Sequence, residues 1–139
     1  MMKLLTITVP SYNSEAYLDR CMATLLPGGD EVEILIVDDG STDRTAEIAD
    51  EYERKYPNIV RAIHKENGGH GDAVTTGIRN ATGLFFKVVD SDDSLAPEAY
   101  KQVLDFLRRI VKKNHELDML ISNFVYDRHD ENGDVLRQK

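Results

Sequence analysis

The run VEILIVDD, Val32–Asp39, constrains the fold more than any other stretch. Glu33 aside, it is apolar and β-branched up to its final acid pair. Such a strand is buried on both faces, which is the habit of a parallel sheet covered by helices. Leu4–Val9, Ile59–Ile63 and Leu84–Val89 read as further strands. Helical patterns alternate with them. In SYNSEAYLDRCMATLL, Leu18, Cys21, Met22 and Leu25 fall at helical spacing, with Asn13 or Ser14 as cap. GSTDRTAEIADEYERKY reads as a helix capped from Ser41 to Asp43, with Ile48, Ala49 and Tyr52 inward. A short helix follows ENGGHG, with Ala73, Val74, Gly77 and Ile78 on one side. Pro97 can open a long helix, where its missing N–H is no loss. That helix reaches about Asn114, with Val103, Leu107, Ile110 and Val111 inward. Asp118–Tyr126 alternates as a fifth strand, and DENGD reads as a hairpin turn. The alternation predicts an α/β fold: an open, mostly parallel sheet with helices on both faces, in a single domain over residues 1–139.

Charge and composition narrow the partners. Net charge is −8. The basic residues Arg108, Arg109, Lys112 and Lys113 sit near one helix end, where cations suit the helix dipole. With no basic patch to answer a phosphate backbone, no nucleic-acid partner is expected. No apolar run approaches the roughly 20 residues that cross a bilayer. The opening MMKLLTITVPSYN has too short an apolar part for a signal peptide and stops at Pro10, so it reads as a strand. A single cysteine, Cys21, rules out an internal disulfide and fits a reducing, cytoplasmic compartment.

In open parallel sheets, ligands bind beyond the carboxyl ends of the strands. PSYN, DDGSTD, KENGGHG and DSDD each stand where a strand ends, so four segments should converge on one rim. Asp38, Asp39, Asp90, Asp92 and Asp93 would lie along it. Two unit charges about 5.5 Å apart repel by roughly 3 kcal/mol at an effective dielectric near 20. Either these acids point apart and cap something, or a cation sits among them. Hard oxygen ligands favour Mg²⁺ or Mn²⁺, which bridge carboxylates to substrate phosphates. The alternative is that Asp92 or Asp93 caps the helix at Pro97. Tyr12 can stack on a nucleobase or pack beneath the first helix, and Asn13 can bond a ligand or cap that helix. Asp39 can accept from a ring N–H of the kind uracil offers, or complete a turn with Gly40 and Ser41. Gly68, Gly69 and Gly71 allow close backbone approach to a ligand at a helix start. Lys65 and His70 could meet phosphate oxygens. Lys87 lies inside an apolar strand, reaching the rim or facing solvent.

TVPSYNSEAYL, IVDDGSTDRT, KENGGHGDAVTTGI and VVDSDDSL, in that order and spacing, resemble the family 2 glycosyltransferases of the A-type, Rossmann-like fold. The resemblance covers nearly the whole chain. It implies a nucleotide-sugar donor, UDP-linked, a divalent metal (Mn²⁺ or Mg²⁺) and inversion at the anomeric carbon. Pro10, Tyr12 and Asn13 match the segment that cups base and ribose, and Glu15 an acidic position near the nucleotide. Asp39 matches the acid that reads the base. Lys65, Gly69 and His70 fall in the loop lining the nucleotide pocket. Asp90 and Asp92 match the acids of the DxD signature, with Ser91 between them counted among the nucleotide-binding positions. Asp92 takes the place of the direct metal ligand, and Asp90 that of a ribose or outer metal partner. The sequence departs from the family at Thr75, where Asn is frequent. Family members run well beyond 139 residues. Asp127, Asp130, Glu131 and Asp134 fit no recognisable base motif, so the general base is expected beyond residue 139. The chain thus reads as the N-terminal, donor-binding part of a longer enzyme, inactive alone. The acceptor would be a carbohydrate or a lipid-linked molecule, and the latter would bring the enzyme to the inner face of a membrane.

Two other readings compete. ILIVDD imitates the first strand and acid pair of a phosphoacceptor receiver domain, which also binds Mg²⁺. A receiver, however, places that strand near its start, and no strand-end lysine is found in the place it requires. The third reading is a non-catalytic nucleotide-binding fragment.

Overall fold

A computed structural model describes residues 3–113 together with 128–129 and 135–136. Four parallel strands form the central sheet: β1 (Leu5–Ser11), β2 (Val32–Asp39), β3 (Val60–Lys65) and β4 (Phe85–Val88), in the order β3-β2-β1-β4. The register pairs Leu5 with Val32 and Phe85, Ser11 with Asp38, and Asp38 with His64. All four carboxyl ends therefore face one edge. The connecting helices are α1 (Leu18–Leu25), α2 (Thr45–Lys55), α3 (His70–Asn80) and α4 (Pro97–Lys112), with a 3-10 turn over Leu26–Glu31. A short antiparallel pair, β5 (Arg128–His129) and β6 (Val135–Leu136), flanks the DENGD segment as a hairpin would. The expected strand Asp118–Tyr126 lies outside the described residues.

The sheet's period-two alternation assigns each face its helices. Leu5, Ile7, Val9, Ile34 and Ile36 share a core with Leu18, Met22 and Leu25 of α1, Ala49 of α2, and Leu104 and Leu107 of α4. Leu35 and Val37 face the other way, onto Ala73 of α3 and Ile63. Helices cover both faces as predicted, three against one. Each fully buried Leu or Ile here contributes roughly 1.5–3 kcal/mol. Glu33, the polar exception in β2, is buried but satisfied: its carboxylate accepts from Thr6 Oγ1 (2.8 Å), Thr82 N (2.9 Å) and Arg61 Nη1 (3.2 Å). Pro10 is tolerated in a central strand for a geometric reason. Backbone carbonyls of Leu4 and Thr8 accept from Phe85 and Val89, so even-numbered residues of β1 face β4. At Pro10 the pairing with β4 has ended, and no ladder bond is lost.

Three local expectations are corrected. Helix α1 begins at Leu18, not at Asn13 or Ser14, and its first position carries no side-chain cap. Asn13 has a φ of +49°, which no helix admits, and Ser14 O accepts from Tyr17 N and Leu18 N in a preceding turn. Ile78 and Val111 are exposed rather than inward. Helix α3 sits so close to β1 through Gly77 that only a narrow stripe is covered. Helix α4 already reaches Glu31, just before β2 begins, at Arg108, so Val111 overhangs the sheet. Lys87 does not face solvent: it is buried in β4, level with Ile7. Among the described residues no helix is long and apolar enough to cross a membrane.

Candidate donor-binding site

The four strand-end segments meet as predicted, and they are tied to one another by hydrogen bonds. After β1, Asn13 N donates to Ser41 Oγ (2.9 Å), and Asn13 Oδ1 accepts from Thr42 N (2.8 Å). Ser14 N donates to Thr45 Oγ1 (2.7 Å), and the Ser14 and Ser91 hydroxyls share a 2.6 Å bond. Glu15 is locked to the Asp43–Arg44 pair: Glu15 Oε1 accepts from Arg44 N (3.0 Å), and Glu15 N donates to Asp43 Oδ2 (3.2 Å). Asp43 Oδ1 also accepts from Thr45 N at the start of α2, but the cap position of that helix is Arg44, without a side-chain cap bond, so the cap expected from Ser41 to Asp43 is not formed there. Burial alone would raise the Asp43 carboxyl, but the bonds from Thr45 and Glu15 outweigh it and hold it low.

Asp39 organises the glycine loop. It is 3% exposed, and both carboxylate oxygens are engaged. Oδ1 accepts from Lys65 Nζ (2.8 Å) and Gly68 N (2.9 Å). Oδ2 accepts from Gly69 N (2.9 Å) and, more loosely, Asn67 Nδ2 (3.3 Å). Burial pushes the Asp39 carboxyl up, yet Lys65 and the two backbone donors overcome it, and the net shift is downward. Lys65 also pairs with Asp72, in the first turn of α3, and donates to Glu66 O. Its three N–H groups are therefore all used inside the loop, and its ammonium is held charged, first by Asp39 and then by Asp72. Gly40 permits this arrangement. Its φ is +71°, and a Cβ there would lie 2.6 Å from Asn67 N. Gly69 opens α3 at a φ of +98° with open space beside it.

The acids beyond β4 behave differently. Asp90, Asp92 and Asp93 bring one carboxylate oxygen each to within 4.8 Å of one another, at the exposed rim. Asp93 N donates to Asp90 O (2.9 Å), which folds DSDD into a tight turn. The cap position before α4 is Ala96, without a side-chain cap bond, so neither Asp92 nor Asp93 occupies it. His70 Nε2 meets Asp90 Oδ1 at 2.9 Å, joining the glycine loop to this cluster. Beneath lies Cys21, whose thiol donates to Asp90 O (3.7 Å). Burial, and then the charges of Asp93, Asp90 and Asp92, push that thiol up to about 12. Tyr12 is 52% exposed, so it does not pack beneath α1 and its ring faces solvent at the rim.

The structure thus brings Tyr12, Asn13, Asp39, Gly69, His70, Asp90 and Asp92 to one edge. The side chains of Asn13, Glu15, Lys65 and Ser91 fasten loop to loop there. Sequence reasoning missed the fasteners Ser14, Asp43, Asp72 and Thr45 as a set. The signal for Asp72 was an acid in a helix's first turn, seven residues after Lys65.

A parallel sheet whose strand-end loops assemble such a rim is the fold of the A-type glycosyltransferases. S. aureus TarS 1-349, solved in complex with UDP-GlcNAc, superposes with a TM-score of 0.67 at 30% identity, covering 76% of this chain and 31% of that one. A mannosyltransferase from Pyrobaculum calidifontis, solved with GDP-Man and Mn²⁺, gives the same TM-score at 23% identity over 77% of this chain and 33% of its own. The chain belongs to glycosyl transferase family 2, whose family model matches residues 6–137. Glycosyltransferase GlyG of Streptococcus pneumoniae is 36% identical over 135 residues, which is 95% of this chain and 43% of GlyG. The chain therefore spans between about a third and under half of the length of these relatives. Family membership sets the receiver-domain reading aside.

Proposed function

We propose that this chain is the donor-binding part of an inverting glycosyltransferase that moves a sugar from a UDP-sugar to an acceptor hydroxyl. One observation carries the reading: the convergence of Asp90, Asp92 and Asp93 on the rim that also holds the open Tyr12 ring and the start of α3. Three hard oxygen donors, from exposed Asp92 and Asp93 and half-buried Asp90, fit Mn²⁺ or Mg²⁺, which bind few protein carboxylates and keep waters and phosphates as their other ligands. Asp92 would be the direct ligand, with Asp90, held by His70, as ribose or outer partner. When bound, the cation offsets charge that develops on the departing diphosphate.

The chain's own groups do the rest. Tyr12 stacks on the base while Pro10 and Asn13 fix the backbone beneath it. Asp39 accepts the uracil N–H by exchanging its weakest bond, the 3.3 Å one from Asn67, while Lys65 keeps it ionised. The first N–H groups of α3 lack intrahelical partners and favour an anionic ligand. Uridine as the base is supported by TarS, whose complex holds UDP-GlcNAc at 30% identity. The acceptor, a carbohydrate or a lipid-linked molecule, and the general base are assigned to chain beyond residue 139. A lipid-linked acceptor would place the whole enzyme peripherally at the membrane's inner face.

Titration calorimetry with UDP-GlcNAc tests the reading. Binding is expected with Mn²⁺ and not with a chelator. Asp92→Ala, at an exposed position, should weaken Mn²⁺-dependent binding at least about tenfold, or about 1.4 kcal/mol. Affinity indifferent to both changes would overturn it.

A further inference from the structure

His64 lies outside every group named so far, yet its ring stands between two carboxylates. Its Nδ1 is 3.0 Å from Asp38 Oδ2, and its Nε2 is 2.8 Å from Asp50 Oδ1. Ionised carboxylates only accept hydrogen bonds, whereas a neutral imidazole donates from one nitrogen and accepts at the other. Both contacts are favourable together only when the ring is the imidazolium. The two carboxylates also differ. Asp38 is buried, at 4% exposure, while Asp50 lies on the outer side of α2 and is free to turn to water.

Asp38 does more than face His64. Its other oxygen accepts from Ser41 N at 3.0 Å. Ser41 Oγ accepts from Asn13 N, and Thr42 N donates back to Asn13 Oδ1. A continuous chain of bonds thus runs from α2 through His64 and Asp38 to the turn at Gly40–Thr42. It ends on the PSYN segment, next to Tyr12.

We propose that His64, as the imidazolium, is a positioning residue for the nucleotide end of the rim, holding Asp38 and through it the Gly40–Thr42 turn and Asn13. The inference rests on the donor-binding reading above, and gives that site a dependence on pH. Other charges on the flanking elements have partners of their own. On α2, Glu53 accepts from Ala62 N, and Glu47 and Glu51 pair with Arg44 and Arg54. On β3, Lys65 is held by Asp39 and Asp72, and Arg61 by Glu33. β3 is an edge strand among the described residues, so no further strand faces it there. Asp38 first, and then Asp50, hold the imidazolium above the ordinary histidine range. The contribution is therefore complete below about pH 6.5 and is lost as pH rises through the raised folded value. Above it, a neutral ring keeps one bond, and a lone pair faces one of the carboxylates.

The experiment is calorimetric binding of UDP-GlcNAc, whose diphosphate diester does not titrate in this range, with Mn²⁺ from about pH 6 to about pH 8.5. Wild-type affinity should fall about fivefold across that window. His64→Gln, which donates to Asp38 without titrating, should be flat within about twofold. Asp50→Asn removes one carboxylate from an exposed site, and should move the fall to lower pH. In the ligand-free chain, NMR should show the amides of Asn13, Ser41 and Thr42 shifting with the midpoint of the His64 ring. An identical pH slope in wild type and His64→Gln would overturn the proposal. Amides indifferent to the His64 midpoint would do the same. Absence of UDP-GlcNAc binding at every pH would sink the donor reading instead, and the amide titration would then decide the role of His64 by itself.

Discussion

Asp39 shows how much one side chain at a strand end can organise. Its oxygens accept from Lys65, Gly68, Gly69 and Asn67, which come from a loop 26 to 30 residues away. Asn at this position would turn an amide N–H₂ toward donors and leave Lys65 short of a counter-charge. Removing one partner of a buried, hydrogen-bonded pair is expected to cost about 3 kcal/mol, a fall of roughly 10 °C in melting temperature. A scanning calorimetry trace of Asp39→Asn unchanged from wild type would contradict the assignment. Folding lowers both Asp39 and Asp43. Both therefore contribute stability above the ordinary carboxylate range, near pH 4, and lose it as pH falls through their depressed folded values. Melting temperature should drop below about pH 4, with less of that drop in Asp39→Asn. Residue chemistry was only half legible in the sequence. The acid at the end of VEILIVDD was evident, because an apolar run ending in acids marks a rim. Its partners were not, since nothing local ties Asp39 to Gly68 or His64 to Asp50.

Helix α3 covers its face of the sheet almost alone, and it does so through small residues. Ala73 and Gly77 are its buried positions. A Cβ on Gly77 would fall 2.3 Å from Thr8 Cγ2 and 2.4 Å from Thr8 Oγ1, closer than atoms approach without movement. Gly77→Ala should thus lift α3 from β1, at about 1–3 kcal/mol, despite alanine's better helix propensity. Thr8 offers the opposite experiment. Its Oγ1 is the buried side-chain polar atom without a hydrogen-bond partner among the described residues. Thr8→Val keeps the shape and removes the orphaned hydroxyl, and is expected to gain about 1 kcal/mol in chemical denaturation. Loss of stability in Thr8→Val would mean that the hydroxyl is satisfied after all. Element order and type were legible because each helix and strand is amphipathic or apolar in its own period. Helix ends and edges were not. Val111 fits the inward period, but periodicity carries no record of where the sheet beneath α4 stops. The start of α1 was misplaced because Asn13 and Ser14 are good caps by composition and are used instead to bridge two loops.

At the scale of the whole molecule, the proposed reading assigns binding and turnover to different parts of the enzyme. The described rim carboxylates already have tasks. Asp38 and Asp39 hold turns, Glu15 holds the backbone of Arg44, Asp43 holds that of Glu15, and Asp72 holds Lys65. Asp90, Asp92 and Asp93 form the cluster assigned to the cation. A general base must instead be free to take a proton from an acceptor hydroxyl within hydrogen-bond reach. This chain spans 43% of GlyG and 31% of the TarS chain solved with UDP-GlcNAc, which leaves ample length for such a group elsewhere in a full enzyme. On the proposed reading, nucleotide binding should therefore survive in the isolated chain while transfer does not. With Mn²⁺ and UDP-GlcNAc at about 100 times Kd, the chain should gain about 2.7 kcal/mol of stability. Release of UDP in the presence of carbohydrate acceptors should stay at the level of an Asp92→Ala control. Extending the chain through the remaining family-sized length should raise UDP release without tightening binding, because the added residues act on the acceptor and not on the donor. Rapid acceptor-dependent UDP release by residues 1–139 alone would place the base within this chain, and would send the search for it to Asp93 and to Asp127, Asp130, Glu131 and Asp134.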